Sequence, residues 1–151
     1  MSLHTILLAI TPDDDDRLEE LAETAIEAAK PAGATVVVGH AFTGTEYNDT
    51  LGHLGIDTDR EDIRPDAVAA RHERVEHVVE ILEDTGVDHD VYAAVDTHGQ
   101  AILELADGTE ADRIVIGGRR RSPTGKAVFG STSQEVMLAA PCPVTFVPES
   151  D

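Results

Sequence analysis

Five short apolar runs, each separated from the next by a stretch of helical period, constrain this chain more than any other feature. The runs are HTILLAI (His4 to Ile10), ATVVVGHAF (Ala34 to Phe42), VDHDVYAAV (Val87 to Val95), DRIVIGG (Asp112 to Gly118) and Val144 to Val147 within PCPVTFVP. Between the first two, Leu18, Leu21, Ala22, Ala25, Ile26 and Ala29 recur at three- and four-residue intervals, the mark of one buried helix face. Pro65 opens a long helical pattern with Val68, Val75, Val78, Val79 and Leu82 on its apolar side, and Gly86 ends it. GQAILELADG and TSQEVMLAA supply two shorter helices. Strands joined through helices cannot pair as hairpins, so the order predicts a parallel sheet with helices on both faces. Right-handed crossovers restrict it to a doubly wound α/β topology, and no internal repeat divides residues 1–151 into more than one domain. Ligands of such sheets bind beyond the carboxyl ends of the strands, here Thr11, His40–Ala41, Asp96 and Gly117.

The connections are less regular. TPDDDD places four aspartates before the first helix, where the dipole favours negative charge, and PAG (Pro31 to Gly33) stops that helix. Capping and solvation explain those aspartates better than metal binding, because a second ligand cluster is missing. Residues 43–64 are polar, glycine-bearing and long for a connection, which reads as a mobile flap or an acidic insertion. With aromatic residues at 3% and no tryptophan, the core has to come from Val, Ile, Leu and Ala.

Charge excludes one class of partner. The chain carries 30 Asp and Glu against 11 Lys and Arg, a formal net charge of -19, so a nucleic-acid backbone would be repelled. Lysine occurs only at Lys30 and Lys126, and that scarcity points to a halophile's salt-rich cytoplasm, where ions screen the self-repulsion. No apolar run approaches the length of a membrane span, and a single cysteine, Cys142, has no internal partner, so a cytoplasmic location without membrane contact is expected. Among seven histidines only His40 and His98 could both approach the carboxyl edge; His72 and His77 lie five apart and do not share a helix face. No nucleophile elbow surrounds Ser131.

Against this acidity one stretch stands out. From Arg113 to Gln134 there is no acidic residue, and Arg119, Arg120, Arg121 and Lys126 supply four of the eleven cations. The stretch lies between the fourth strand and the last helix. Gly117 and Gly118 allow a tight exit from the sheet. Gly130, Ser131 and Thr132 fall where free backbone N–H groups of the last helix would face an anion. A phosphate site is one reading, and arginines paired with acids elsewhere are the other. The P-loop pattern does not fit: Arg120 replaces its first glycine, and Ala127 follows Lys126 where a hydroxyl would be needed.

HTILLAI, VVVGHAF, ADRIVIGGR and APCPVTFV, in this order and spacing, make the chain resemble the universal stress protein family over nearly its whole length. The resemblance implies a single-domain Rossmann-like sandwich of the adenine nucleotide alpha hydrolase type, with strand order 3-2-1-4-5. It implies adenine-nucleotide binding, ATP or AMP with or without Mg2+, in a stress-response protein that signals through ligand binding and at most hydrolyses ATP slowly. Of the family motif G-x2-G-x9-G-[ST], Gly117 matches the first glycine and Gly130–Ser131 the end, while Arg120 replaces the middle glycine. Thr11 stands where nucleotide-binding members have a ribose-holding aspartate, with Asp13 close enough to substitute by a small shift, and His40–Ala41 falls where backbone groups read the adenine edge. Gly117, Arg119, Arg120, Lys126, Gly130, Ser131 and Thr132 are then the phosphate half of the site. A homodimer through the last strand, Val144 to Val147, is also implied. The departures at Thr11 and Arg120 support an alternative, a dimeric adaptor of the same family that binds no nucleotide.

Overall fold

The computed structural model of the chain describes residues 3–118 and 130–148. Five strands form one parallel sheet in the order β3-β2-β1-β4-β5. They are β1 (Thr5–Ile10), β2 (Thr35–Phe42), β3 (His89–Val95), β4 (Arg113–Gly118) and β5 (Val144–Pro148). The register pairs Ile6 with both Val36 and Arg113, Val38 with Val91, and Ile114 with Val144.

The central strand β1 is buried from Ile6 to Ile10, which is why its sequence is a continuous apolar run rather than an alternation. Successive side chains point to opposite faces. Ile6, Leu8 and Ile10 join Leu21, Ala25 and Leu82 in the core under α1 (Leu18–Ala32) and the helix Glu73–Thr85. Leu7 and Ala9 join Ile102, Leu105, Ile116 and Val136 under the helices His98–Gly108 and Ser131–Ala139. Gly39 of β2 allows this second layer to approach closely, because a Cβ there would lie 2.6 Å from Leu7 Cδ1 and 3.1 Å from Leu105 Cδ1.

Two connections differ from the sequence expectation. Residues 43–64, expected to be a flap or insertion, contain a helix, α2 (Gly44–His53). The Thr43 side chain caps it by accepting from the Glu46 N–H at 3.2 Å, while Glu46 accepts from the Thr43 N–H at 2.9 Å. Leu51 packs with Ile56 and Val68 in a small third cluster beneath it. The single long helix expected after Pro65 is two, α3 (Pro65–Ala70) and α4 (Glu73–Thr85). His72 ends the continuity: its backbone is extended and its Nδ1 accepts from the Arg74 N–H at 3.0 Å, capping α4. α3 turns to the outer edge of β3, where Asp66 accepts from the Ala93 N–H at 2.8 Å. The helix α1 runs through Pro31 and stops at Gly33, a left-handed C-cap with φ 65°. The remaining helices are α5 (His98–Gly108) and α6 (Ser131–Ala139).

Candidate functional site

The strand order reverses between β1 and β4, since β1 connects toward β2 and β4 toward β5. A cleft of about 340 Å3 opens at the carboxyl ends of these two strands. Thr11, Asp13 and Arg17 line one side, and Gly117 and Gly130 to Ser133 line the other.

On the β4 side the chain leaves the sheet at Gly118, and α6 begins at Ser131. Gly130 is its N-cap, extended at φ -64° and ψ 160°, and among the described residues no side chain caps the helix. Its first N–H groups are therefore open to a ligand. A Cβ built on Gly130 meets nothing within 4 Å among the described residues, so with respect to them a side chain would enter open space.

The β1 side is built differently. After Ile10 the chain forms a 3-10 turn, Pro12–Asp14, capped within itself. The Thr11 hydroxyl accepts from the Asp13 N–H at 3.2 Å, and the Asp14 carboxylate accepts from the Thr11 N–H at 2.9 Å. Asp14 also accepts from Arg17 Nε at 2.9 Å, in an ion pair whose side chains are only 5% and 6% exposed. Burial pushes the Asp14 carboxyl up from its ordinary range, and the Arg17 guanidinium and Thr11 only partly offset this. Arg17 NH2 donates to the Asp13 carbonyl at 2.8 Å. The third guanidinium nitrogen, NH1, is buried without a hydrogen-bond partner among the described residues.

The loop extends outward through Asp15. Its carboxylate accepts from Arg74 Nε at 2.6 Å and NH2 at 3.0 Å, and Arg74 NH1 lies 3.0 Å from His40 Nε2. His40 is fully buried, with its ring stacked on Phe42 at 4.0 Å between centroids. Burial, then the charge of Arg74, lowers the His40 pKa to about 3, so the ring is neutral and its Nε2 accepts from Arg74. The adjacent Ala41 backbone favours the proton slightly, but Nδ1 makes no bond of acceptable geometry. The Asp15 carboxyl is lowered, chiefly by its hydrogen bond from Arg74.

The cleft thus brings together Thr11, Asp13, Gly117, Gly130, Ser131 and Thr132 of the residues expected from sequence. Ala41 is not among the residues that line it; its side chain is fully buried in the core under α5, and the expectation for it concerned backbone groups. Arg119, Arg120 and Lys126 lie outside the described residues. His40 and His98 do not pair with each other, because His98 Nε2 meets Glu46 of α2 at 2.7 Å instead. Asp14 and Arg17 were not anticipated. Their i, i+3 spacing was visible, but their burial depends on Gly117, where a Cβ would come within 2.7 Å of Arg17 Cδ and 3.0 Å of Asp14 Oδ1.

The universal stress protein family model matches residues 2–148. The chain belongs to the universal stress protein family. A universal stress protein of Thermus aquaticus is 37% identical over 95% of this chain and 97% of its own. A solved universal stress protein of Archaeoglobus fulgidus superposes with a TM-score of 0.70 at 29% identity, covering 97% of this chain and 98% of that one. Another solved from Archaeoglobus fulgidus, in complex with dAMP, gives a TM-score of 0.64 at 22% identity, covering 95% of this chain and 96% of that one. The sheet order of this universal stress protein is the one the resemblance implied. Among the described residues no helix is long and apolar enough to cross a membrane, and no cluster of three His, Cys, Asp or Glu could hold a metal ion.

Proposed function

We propose that the chain binds an adenine nucleotide, AMP or ATP, in the cleft between β1 and β4, and acts in the stress response through ligand-dependent signalling. The observation that carries this reading is the uncapped N-terminus of α6, which faces the same cleft as Gly117. Its N–H groups and dipole suit a phosphate, and the acid-free stretch from Arg113 to Gln134 surrounds it in sequence. The dAMP held by the Archaeoglobus fulgidus relative supports the ligand class. Binding rather than turnover is the core of the reading. With ATP, Mg2+ would be carried by the phosphates. The protein would act in a salt-rich cytoplasm, as a homodimer through β5, which lies at one edge of the sheet.

The adaptor that binds no nucleotide is the competing reading. It is favoured by Thr11, whose hydroxyl already accepts from Asp13 and reaches Asp14 at 3.4 Å. Calorimetry with ATP, ADP and AMP at high potassium chloride separates the two. The nucleotide reading expects saturable binding that Gly130→Val abolishes without unfolding the chain, since that side chain enters open space with respect to the described residues. Absence of binding to the unaltered chain leaves the adaptor.

A further inference from the structure

Arg17 is an unusual residue for the floor of a cleft. It is 6% exposed, and two of its guanidinium nitrogens are held from its own loop, Nε by Asp14 and NH2 by the Asp13 carbonyl. Both bonds fix the plane of the group. NH1 is left, a charged donor buried with no partner among the described residues. A buried N–H of a guanidinium without an acceptor is costly, and such a group in a native fold calls for an explanation. Arg17 lines the cleft together with Gly130, Ser131 and Thr132, and it lies against Gly117, where a Cβ would be 2.9 Å from its Nε. Arg17 and the start of α6 therefore line one cavity, which brings the residue with the unpartnered donor to the same cleft as the helix N-terminus. An anion held by α6 alone would leave one side of its oxygens without donors.

We propose that Arg17 is an anion-binding residue of the cleft: its NH1 donates to an oxygen of a phosphoryl group whose other oxygens are held by the N–H groups at the start of α6. This rests on the reading that the cleft takes a phosphorylated ligand, and adds to it a recognition residue in the β1–α1 loop. Asp14 acts as a positioning residue, holding the guanidinium by Nε so that NH1 stays directed to the ligand. A lysine could replace the charge but not this division of labour, because a single ammonium that pairs with Asp14 cannot hold a fixed planar fork.

The test compares Arg17→Lys with Gly130→Val and the unaltered chain, titrated by calorimetry with AMP and with adenosine at high potassium chloride. Arg17→Lys is expected to weaken AMP at least tenfold and leave adenosine within twofold, because the lost contact is to phosphate. The double variant Asp14→Asn/Arg17→Met keeps a carbonyl oxygen to accept from the Thr11 N–H and leaves no buried charge unpaired, so it repeats the measurement should Arg17→Lys fold poorly. AMP affinity kept within twofold by both variants overturns the proposal, and so does an equal fall for adenosine. If Gly130→Val abolishes AMP binding while Arg17→Lys does not weaken it, Arg17 is excluded and the phosphate site stands. If the unaltered chain binds neither AMP nor inorganic phosphate, both readings fall together.

Discussion

The two walls of the cleft come from equivalent places, each a strand-to-helix junction at the carboxyl edge of the sheet, yet they treat their polar groups in opposite ways. After β1 the chain satisfies itself, Arg17 NH1 apart. Thr11 and Asp14 cap the turn, Asp14 holds Arg17, and Asp15 reaches through Arg74 to His40. After β4 the helix starts at a glycine, and among the described residues no side chain caps its N–H groups. A self-satisfied junction adds stability and fixes geometry. A junction with open donors gives up a side-chain cap, only about a few tenths of a kcal/mol where glycine is the N-cap, and keeps the donors available. The difference separates a wall whose polar groups mostly hold one another from a wall whose donors are left open.

That contrast can be broken from the β1 side first. Asp14→Ala removes the cap of the 3-10 turn and strands Arg17 as a buried unpaired charge. Urea unfolding should show a loss of about 3–5 kcal/mol, the usual cost of removing one partner of a buried pair. Gly130→Ala, on the other wall, should change stability by less than about 0.5 kcal/mol, since its Cβ meets nothing among the described residues. Comparable losses from the two variants would erase the distinction.

Acid should act on the same wall. His40 is held neutral down to about 3 in the folded chain, whereas an unfolded histidine takes its proton near 6.5. A folded pKa below the unfolded one means that stability is complete above the unfolded value and is lost as pH falls toward the folded one. At pH 4 the His40 contribution should be a loss of roughly 3 kcal/mol. Asp14 runs the other way, since its raised carboxyl is relieved on protonation, so the measurement is the pH dependence of the difference between the unaltered chain and His40→Gln. A difference that does not change between pH 7 and pH 4 would contradict the assigned neutral ring.

Salt distinguishes buried from exposed charge. With a formal net charge of -19, the thermal midpoint should fall by at least about 3 °C from molar to millimolar potassium chloride, the size of a ~1 kcal/mol loss in a chain of this length. The Asp14→Ala penalty should stay constant across that range, because its pair is shielded from ions. A flat midpoint would remove the salt-adapted reading.

The smallest effect converts the open wall into a closed one. Gly130→Asp supplies the missing cap and should raise stability by only a few tenths of a kcal/mol, because glycine is itself a tolerable N-cap. It should also place a carboxylate where the phosphate is proposed to bind and lower AMP affinity in a calorimetric titration.

How far the sequence foretold these walls follows from what each depends on. The strands were legible, because apolar runs such as Ile6 to Ile10 record burial on both faces directly, whereas their order in the sheet was implied by the family resemblance. Gly130–Ser131 was legible as a helix start for a local reason, the small residues before TSQEVMLAA. The wall after β1 was not. Four consecutive aspartates look equivalent in sequence, and only contact with β4, distant along the chain, makes Asp14 buried while Asp15 stays exposed. The break at His72 was hidden similarly, since Val68, Val75 and Val78 keep helical spacing across two helices that pack on different neighbours.

The placement of α3 bears on how copies of this chain can meet. Asp66 occupies a backbone donor on the outer side of β3, so that margin of the sheet is obstructed, whereas β5 borders the opposite margin. A sheet blocked at one end can lengthen only from the other. Two copies joined through their β5 margins about a dyad would present two obstructed margins to solvent, and further lateral addition would have nowhere to start. If copies meet through β5, the carboxylate that occupies a donor on the other edge strand would hold strand-mediated growth at two molecules.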